Sequence, residues 1–216
     1  MKEPLRKQEP KLILPGLRVI LLKIHADLFT IDRRIQRHSK YYPEYLTNLE
    51  KMAIVSEDRR FMSHRGVDVR AIIRELFKAV TWRKHGGAST IDMQFVRTAT
   101  GYRSRTIRRK LYEIFLSLII QFRYDKVTIL RSYLACAFFG SHIKGAASAS
   151  RVMYNKSADD LSIDEASVIA SMLVYPRPLS APLSWKSNVE GRAQYTMRFY
   201  LSNKKRFDRN CSPPAG

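Results

Sequence analysis

Three clusters in this sequence combine residue types that could move a proton or hold an anion. The first is Glu57-Asp58-Arg59-Arg60-Phe61, followed by His64 and by Gly66-Val67-Asp68. Two adjacent carboxylates beside two guanidiniums supply a candidate general base and the positive charge that would orient an anionic substrate; an exposed charged turn is the alternative. The second runs from His85 through Gly86, Gly87, Ser89, Thr90 and Asp92 to Gln94, with Arg97 one turn on. Paired glycines allow close backbone approach, and hydroxyls with unpaired N–H groups at a helix start suit a phosphate or sugar oxygen. The Gly-Lys-Ser/Thr end of a phosphate-binding P-loop is missing, which disfavours a nucleotide; a plain capped turn is the alternative. In the third, Lys110, Glu113 and Ser117 share a helix face and Arg109 precedes Glu113 by one turn, with Arg103, Arg105 and Arg108 just upstream. Cations packed round one carboxylate suit a diphosphate, and equally a nucleic-acid backbone; a routine surface ion pair is the alternative.

Helical periodicity supplies the scaffold. Pro43 can start a helix reaching about Ser56, with Leu46, Leu49, Ala53 and Ile54 inward. Asp68 can cap a second, carrying Ile72, Ile73, Leu76 and Phe77 to about Trp82, and the Gly86-Gly87 loop opens a third. From about Arg105 to Tyr124, Ile107, Leu111, Ile114, Phe115, Leu118, Ile119 and Phe122 form an apolar stripe expected to face the core. Further helices are expected over 126–139, 146–154, 162–173 (Ser162 with Glu165 as a capping box) and 188–203, with an extended stretch at Pro176, Pro178 and Pro182. Tyr133, Phe138 and Phe139 are expected in the core, as are Tyr41 and Tyr42. Strand signal is weak, so the fold class is mainly α.

The length, 216 residues, suits one domain with terminal arms, and 45% hydrophobic content is ordinary for a globular chain. Lys+Arg 39 against Asp+Glu 19 leaves +20, which calls for an anionic partner: nucleic acid, anionic lipid or a phosphorylated substrate. Cys136 and Cys211 form neither a disulfide framework nor, with the dispersed His25, His38 and His142, a zinc site. The run Leu12–Ile24 is shorter than the roughly 20 residues of a spanning helix and contains Pro15, Gly16, Arg18 and Lys23. It is expected to pack on the core as a strand or helix, with an interfacial segment as the alternative.

In this order the clusters resemble the motifs of the family 51 peptidoglycan glycosyltransferases, which polymerise lipid II. EDRRFMSHRG is similar to the family's E-D-x-x-F-x-x-H-x-G, GASTIDMQFVR to its G-x-S-T-I-T-x-Q followed by a cation, and RRKLYE to R-K-x-x-E. DKVTILRSYL resembles K-x-x-I-L-x-x-Y-L-N, and YNKSADDLSIDEA resembles Y-F-G-K with L-T-x-x-E-A; together they cover about residues 45–193. The resemblance implies a lysozyme-like, two-lobed glycosyltransferase domain (43–203) between an N-terminal basic and apolar arm (1–42) and a basic, Pro-containing tail (204–216). It implies Glu57 as the general base on the acceptor sugar's 4-hydroxyl, and Glu113 assisting diphosphate departure directly or by orienting a cation. Phe61, Ser89, Gln94, Arg97, Arg105 and Lys110 would line the donor site. Partners would be lipid II, the growing glycan strand, the anionic membrane surface and other cell-wall synthases, but no nucleic acid. The place would be the outer, periplasmic face of a bacterial cytoplasmic membrane, held peripherally or by an anchor not evident in the sequence. A divalent cation (Mg or Mn) would be a cofactor compatible with this chemistry, although no ligand cluster encodes a metal site.

Several positions depart from the pattern. Asp92 replaces Thr, Thr98 an Asn, Arg131 a Glu, Ala135 an Asn and Asn155 a Gly. These leave open a catalytically impaired member that only binds lipid-linked precursor or a synthase. A lysozyme-like hydrolase, which also needs two carboxylates, and a basic nucleic-acid-binding module are rival readings of the same residues. Cations crowding Glu113 weigh against the hydrolase; charge spread along the chain without a recognition motif weighs against the module.

Overall fold

Side-chain caps set the starts of the helices that carry the three clusters. The computed structural model describes residues 16–38, 45–80, 87–102, 104 and 106–211. Its helices are α1 (Leu17–His38), α2 (Asn48–Glu57), α3 (Val69–Val80), α4 (Ile91–Thr100), α5 (Ile107–Arg123), α6 (Lys126–Cys136), α7 (Ala146–Tyr154), α8 (Ile163–Ser171) and α9 (Leu183–Cys211). Thr47, Thr90, Thr106 and Asp125 each accept a backbone N–H at the start of α2, α4, α5 and α6. Full capping boxes close on α2 (Thr47 with Glu50) and α8 (Ser162 with Glu165). The fold is mainly α and lysozyme-like, as expected; among the described residues the only sheet is a hairpin of β1 (Phe138–Gly140) and β2 (Ile143–Lys144).

Packing gathers α2, α8 and α9 on one side and α1, α4, α5 and α6 on the other. The shared core includes Met52, Phe61, Phe95, Leu116, Ile129, Phe139, Ile169 and Tyr200. Gly66 joins the first cluster to α5. It has φ +78°, and a Cβ there would lie 2.5 Å from the Ser117 carbonyl oxygen, one turn beyond Glu113. Thr90 Oγ donates to the Gly66 carbonyl at 2.7 Å, so the loop is also pinned to the start of α4.

Several expectations need correction. The α5 stripe faces outward: Ile107, Leu111, Phe115, Leu118 and Phe122 are exposed, while Glu113, Leu116, Ser117 and Ile120 are buried. In α3, Ile73 and Phe77 are exposed too. Periodicity reports that a helix has an apolar face, not what covers it. The helix expected over 126–139 ends at Cys136, because the chain turns into β1, and Phe138 is exposed. α9 starts five residues before the expected 188 and runs on to 211, with Phe207 packed edge-on against Tyr200. The Leu12–Ile24 run is helical from Leu17: Leu17, Val19, Ile20, Leu21 and Leu22 are exposed, while Ile24 packs against the core that α1 then enters through Leu28, Ile31 and Ile35. Pro43, Tyr41, Tyr42 and Trp82 lie outside the described residues.

Candidate active site

Glu57 ends α2 and sits half-buried on the wall of a cavity of about 410 Å³ that Arg59, Arg60, Ser89 and Thr90 also line. Its Oε2 accepts from Gln94 Nε2 at 2.6 Å, and Gln94 Oε1 accepts from the Tyr133 hydroxyl at 2.7 Å. Among the described residues its Oε1, also buried, has no hydrogen-bond partner. Burial pushes the Glu57 pKa above the usual carboxylate range; the Gln94 bond and the Arg192 and Arg97 charges restrain that rise, while Asp58 adds to it. A carboxylate held this way takes up a proton more readily than one in water, as a base near neutral pH must.

The cationic side of the site is built from α4 and α5. Lys110 Nζ donates to Ser89 Oγ at 2.7 Å. Desolvation lowers the Lys110 pKa, as do the neighbouring Arg97 and Arg109 charges, while Glu113 acts in the opposite direction. Glu113 is fully buried, with Arg109 Nε 3.2 Å from its Oε1 and, among the described residues, neither carboxylate oxygen in a well-aligned hydrogen bond. Arg97 acts electrostatically on both Glu57 and Lys110, so one continuous group of charges links the two glutamates.

Beneath Glu57 lies a buried charge network. Asp58 Oδ2 pairs with His64 Nε2 at 2.9 Å and accepts from the Ile91 N–H at 3.2 Å. Asp92, wholly buried, holds Lys126 Nζ at 3.1 and 3.0 Å from its two oxygens, and that ammonium stands 4.4 Å over the Phe61 ring. The ligating atoms of Asp58, His64 and Asp92 lie within 4.8 Å of one another, but Lys126 already supplies the compensating positive charge. Glu113 is equally poor as a divalent-ion site, being one carboxylate among the cations Arg109, Lys110 and Arg97. Neither donor set fits a resident metal.

The structure thus brings Glu57, Gln94 and Arg97 together with Ser89, Lys110 and Glu113. Phe61 is fully buried, its ring against Lys126 and edge-on to His64, so it supports the site from below. Arg105 lies outside the described residues. The clusters do not point to Tyr133, which reads in the sequence as a core aromatic, or to α9. Arg192 of α9 donates to the Ser56 carbonyl at 2.6 Å, and Arg59 bonds the Tyr195 hydroxyl at 2.7 Å while lying 3.8 Å over Phe199. Contacts between residues 136 positions apart leave no local pattern. Two departures are compensated nearby: Lys126 neutralises Asp92, and Arg131 Nε meets Glu50 Oε1 at 2.6 Å while Glu50 Oε2 accepts the Thr47 N–H of the α2 cap.

Comparison with known proteins finds that residues 26–200 match the family model described as Transglycosylase. The chain is 35% identical over 161 residues to the biosynthetic peptidoglycan transglycosylase of Thiobacillus denitrificans, covering 74% of this chain and 66% of that protein. It is 33% identical to penicillin-binding protein 1A of Rickettsia bellii (73% of this chain, 20% of that protein) and 32% identical to penicillin-binding protein 1B of Haemophilus influenzae (76% and 21%). The chain therefore spans just under two thirds of the first relative and about a fifth of the other two.

Proposed function

This chain belongs to the transglycosylase family, and from that premise we propose that it is a peptidoglycan glycosyltransferase that polymerises lipid II into glycan strands. The observation that carries the proposal is Glu57. It is a carboxylate of raised proton affinity on a cavity wall, joined through Arg97 to a fixed cationic group.

In this reading Glu57 takes the proton from the acceptor sugar's 4-hydroxyl as that oxygen bonds to C1 of the donor. The bond from C1 to the lipid diphosphate breaks, and the diphosphate leaves with the electron pair. Arg97 and Lys110 stand where that negative charge develops, and fixed charge of this kind stabilises the transition state without reorganising. Ser89 holds the Lys110 ammonium in place. The complete burial of Glu113 and its approach to Arg109 support the indirect role, in which it positions cations rather than touching the reacting atoms. Lys110→Ala is expected to slow polymerisation by roughly 10²–10³-fold, the cost of removing one such group. The test is polymer formation from labelled lipid II in detergent. Release of soluble fragments from purified peptidoglycan instead would mark a hydrolase.

The exposed apolar residues support work at a bilayer surface. Ile72 of α3 lines one depression with Ile114 and Leu118 of α5, so the apolar faces of these two helices adjoin, and Leu17, Val19, Ile20, Leu21 and Leu22 of α1 are exposed too. No helix among the described residues is long and apolar enough to cross a membrane. The cations Arg18, Arg70 and Arg108 lie on the same three helices and would add attraction to anionic lipid at the outer face of the cytoplasmic membrane. A chain that only binds precursor is the reading that Arg131 favours in the sequence; its ion pair with Glu50 serves the start of α2, at the opposite end from Glu57, and so gives that reading little support.

A further inference from the structure

We propose that Tyr133 is a positioning residue for Glu57: its buried hydroxyl dictates which end of the Gln94 amide faces the carboxylate, and so keeps the base ionised. The proposal rests on Glu57 being the base and adds the device that sets it.

The Gln94 amide has two ends and two partners: Nε2 faces Glu57 Oε2 at 2.6 Å, and Oε1 faces the Tyr133 hydroxyl at 2.7 Å. Tyr133 is buried in the core on α6, and among the described residues its hydroxyl has no other hydrogen-bond partner. With the amide as observed, the Tyr133 O–H donates to Oε1, the amide N–H donates to Glu57, and the carboxylate is the form that accepts. Turning the amide over would set Oε1 against Glu57, which requires a protonated carboxyl, and would leave the Tyr133 O–H proton buried with no acceptor. An unmade hydrogen bond of that kind is costly, so the hydroxyl biases the chain of three towards the ionised base. Burial and the Glu57 charge hold Tyr133 protonated throughout, so it remains a donor at every working pH. Among the described residues Glu57 Oε1 has no hydrogen-bond partner, which leaves it open to take the proton. The other charges acting on Glu57 are Asp58 beside it, Arg97 on α4 and Arg192 on α9, and none of them touches the amide's orientation.

Tyr133→Phe deletes the donor and little else. The two amide orientations then each leave one polar atom orphaned, and the bias disappears. The measurement is carbon-13 NMR titration of the glutamate carboxyls in the full chain, with the Glu57 signal identified by its loss in Glu57→Gln. In Tyr133→Phe the Glu57 proton affinity is expected to rise about tenfold, the scale of one hydrogen bond. Gln94→Met, which removes the amide itself, should raise it in the same direction, and the double variant should add nothing further, because both act through one chain of contacts. Polymerisation by Tyr133→Phe should fall most at pH 6 and recover as pH rises. A Glu57 midpoint unmoved in Tyr133→Phe would overturn the proposal, as would an unmoved midpoint in Gln94→Met should the first variant fail to fold, or a rate loss equal at every pH. The titration needs no substrate. A shifted midpoint in a chain that makes no polymer would sink the polymerase reading while supporting the positioning role.

Discussion

At the scale of single residues, the site holds charge where burial disfavours it. Glu57 binds its proton more tightly folded than unfolded, so its stabilising contribution is present below its ordinary value of 4.5 and is lost as pH rises through the raised folded value. Replacing it by a neutral isostere removes that cost near neutrality. Glu57→Gln is therefore expected to melt about 2–4 °C higher than wild type at pH 7.5, the equivalent of roughly 1 kcal/mol in a chain of this size. The gap should close near pH 4, where both carry a neutral side chain. Equal melting temperatures at pH 7.5 would contradict the buried, proton-hungry carboxylate. Residue type and spacing make both glutamates candidates beside a charged turn and a surface ion pair, and only the family resemblance gives them roles. Tyr133 is not a candidate, since a tyrosine in a helix reads as core until its hydroxyl is seen to meet Gln94.

At the scale of elements, ion pairs and caps hold the site together. Arg131 on α6 grips Glu50, whose second oxygen closes the capping box that starts α2, and α2 ends at Glu57. The sequence reading starts this helix at Pro43; α2 begins instead at Asn48, because Thr47 and Glu50 close a capping box there. What no local pattern can reveal is that the reversed charge at 131 finds an opposite charge 81 residues away. Arg131→Glu is therefore expected to destabilise this chain, although it restores the residue usual in the resembling family. Two carboxylates would face each other at a buried cap, at a cost of about 3 kcal/mol or more. Urea unfolding reads this directly as a lower midpoint; an unchanged midpoint would mean that Arg131 contributes nothing to holding α2.

At the scale of the whole molecule, net charge and apolar surface act together. By composition alone the +20 balance demands an anionic partner, and by periodicity alone the α5 stripe reads as core. The structure reverses the second reading: the stripe is exposed, beside the apolar face of α3. Alternation at helical period is legible, but a membrane-facing stripe and a core-facing stripe have the same period. The expected consequence is binding to vesicles containing anionic phospholipid, weakened by salt through the Lys and Arg contribution and by Leu111→Asp with Phe122→Asp through the apolar one. Co-sedimentation should show at least a roughly tenfold loss for the double variant with an unchanged melting temperature. Undiminished binding would place the membrane face elsewhere. The role given to Glu57 is nonetheless chemical, and polymerisation of labelled lipid II by the wild-type chain and by Glu57→Gln, side by side with their lipid II binding, puts it to the test. Polymer is expected from the wild type, with a rate lower by about 10³-fold or more in Glu57→Gln and binding retained by both. Equal polymerisation by the two proteins, or binding by a wild type that makes no polymer, would contradict that role.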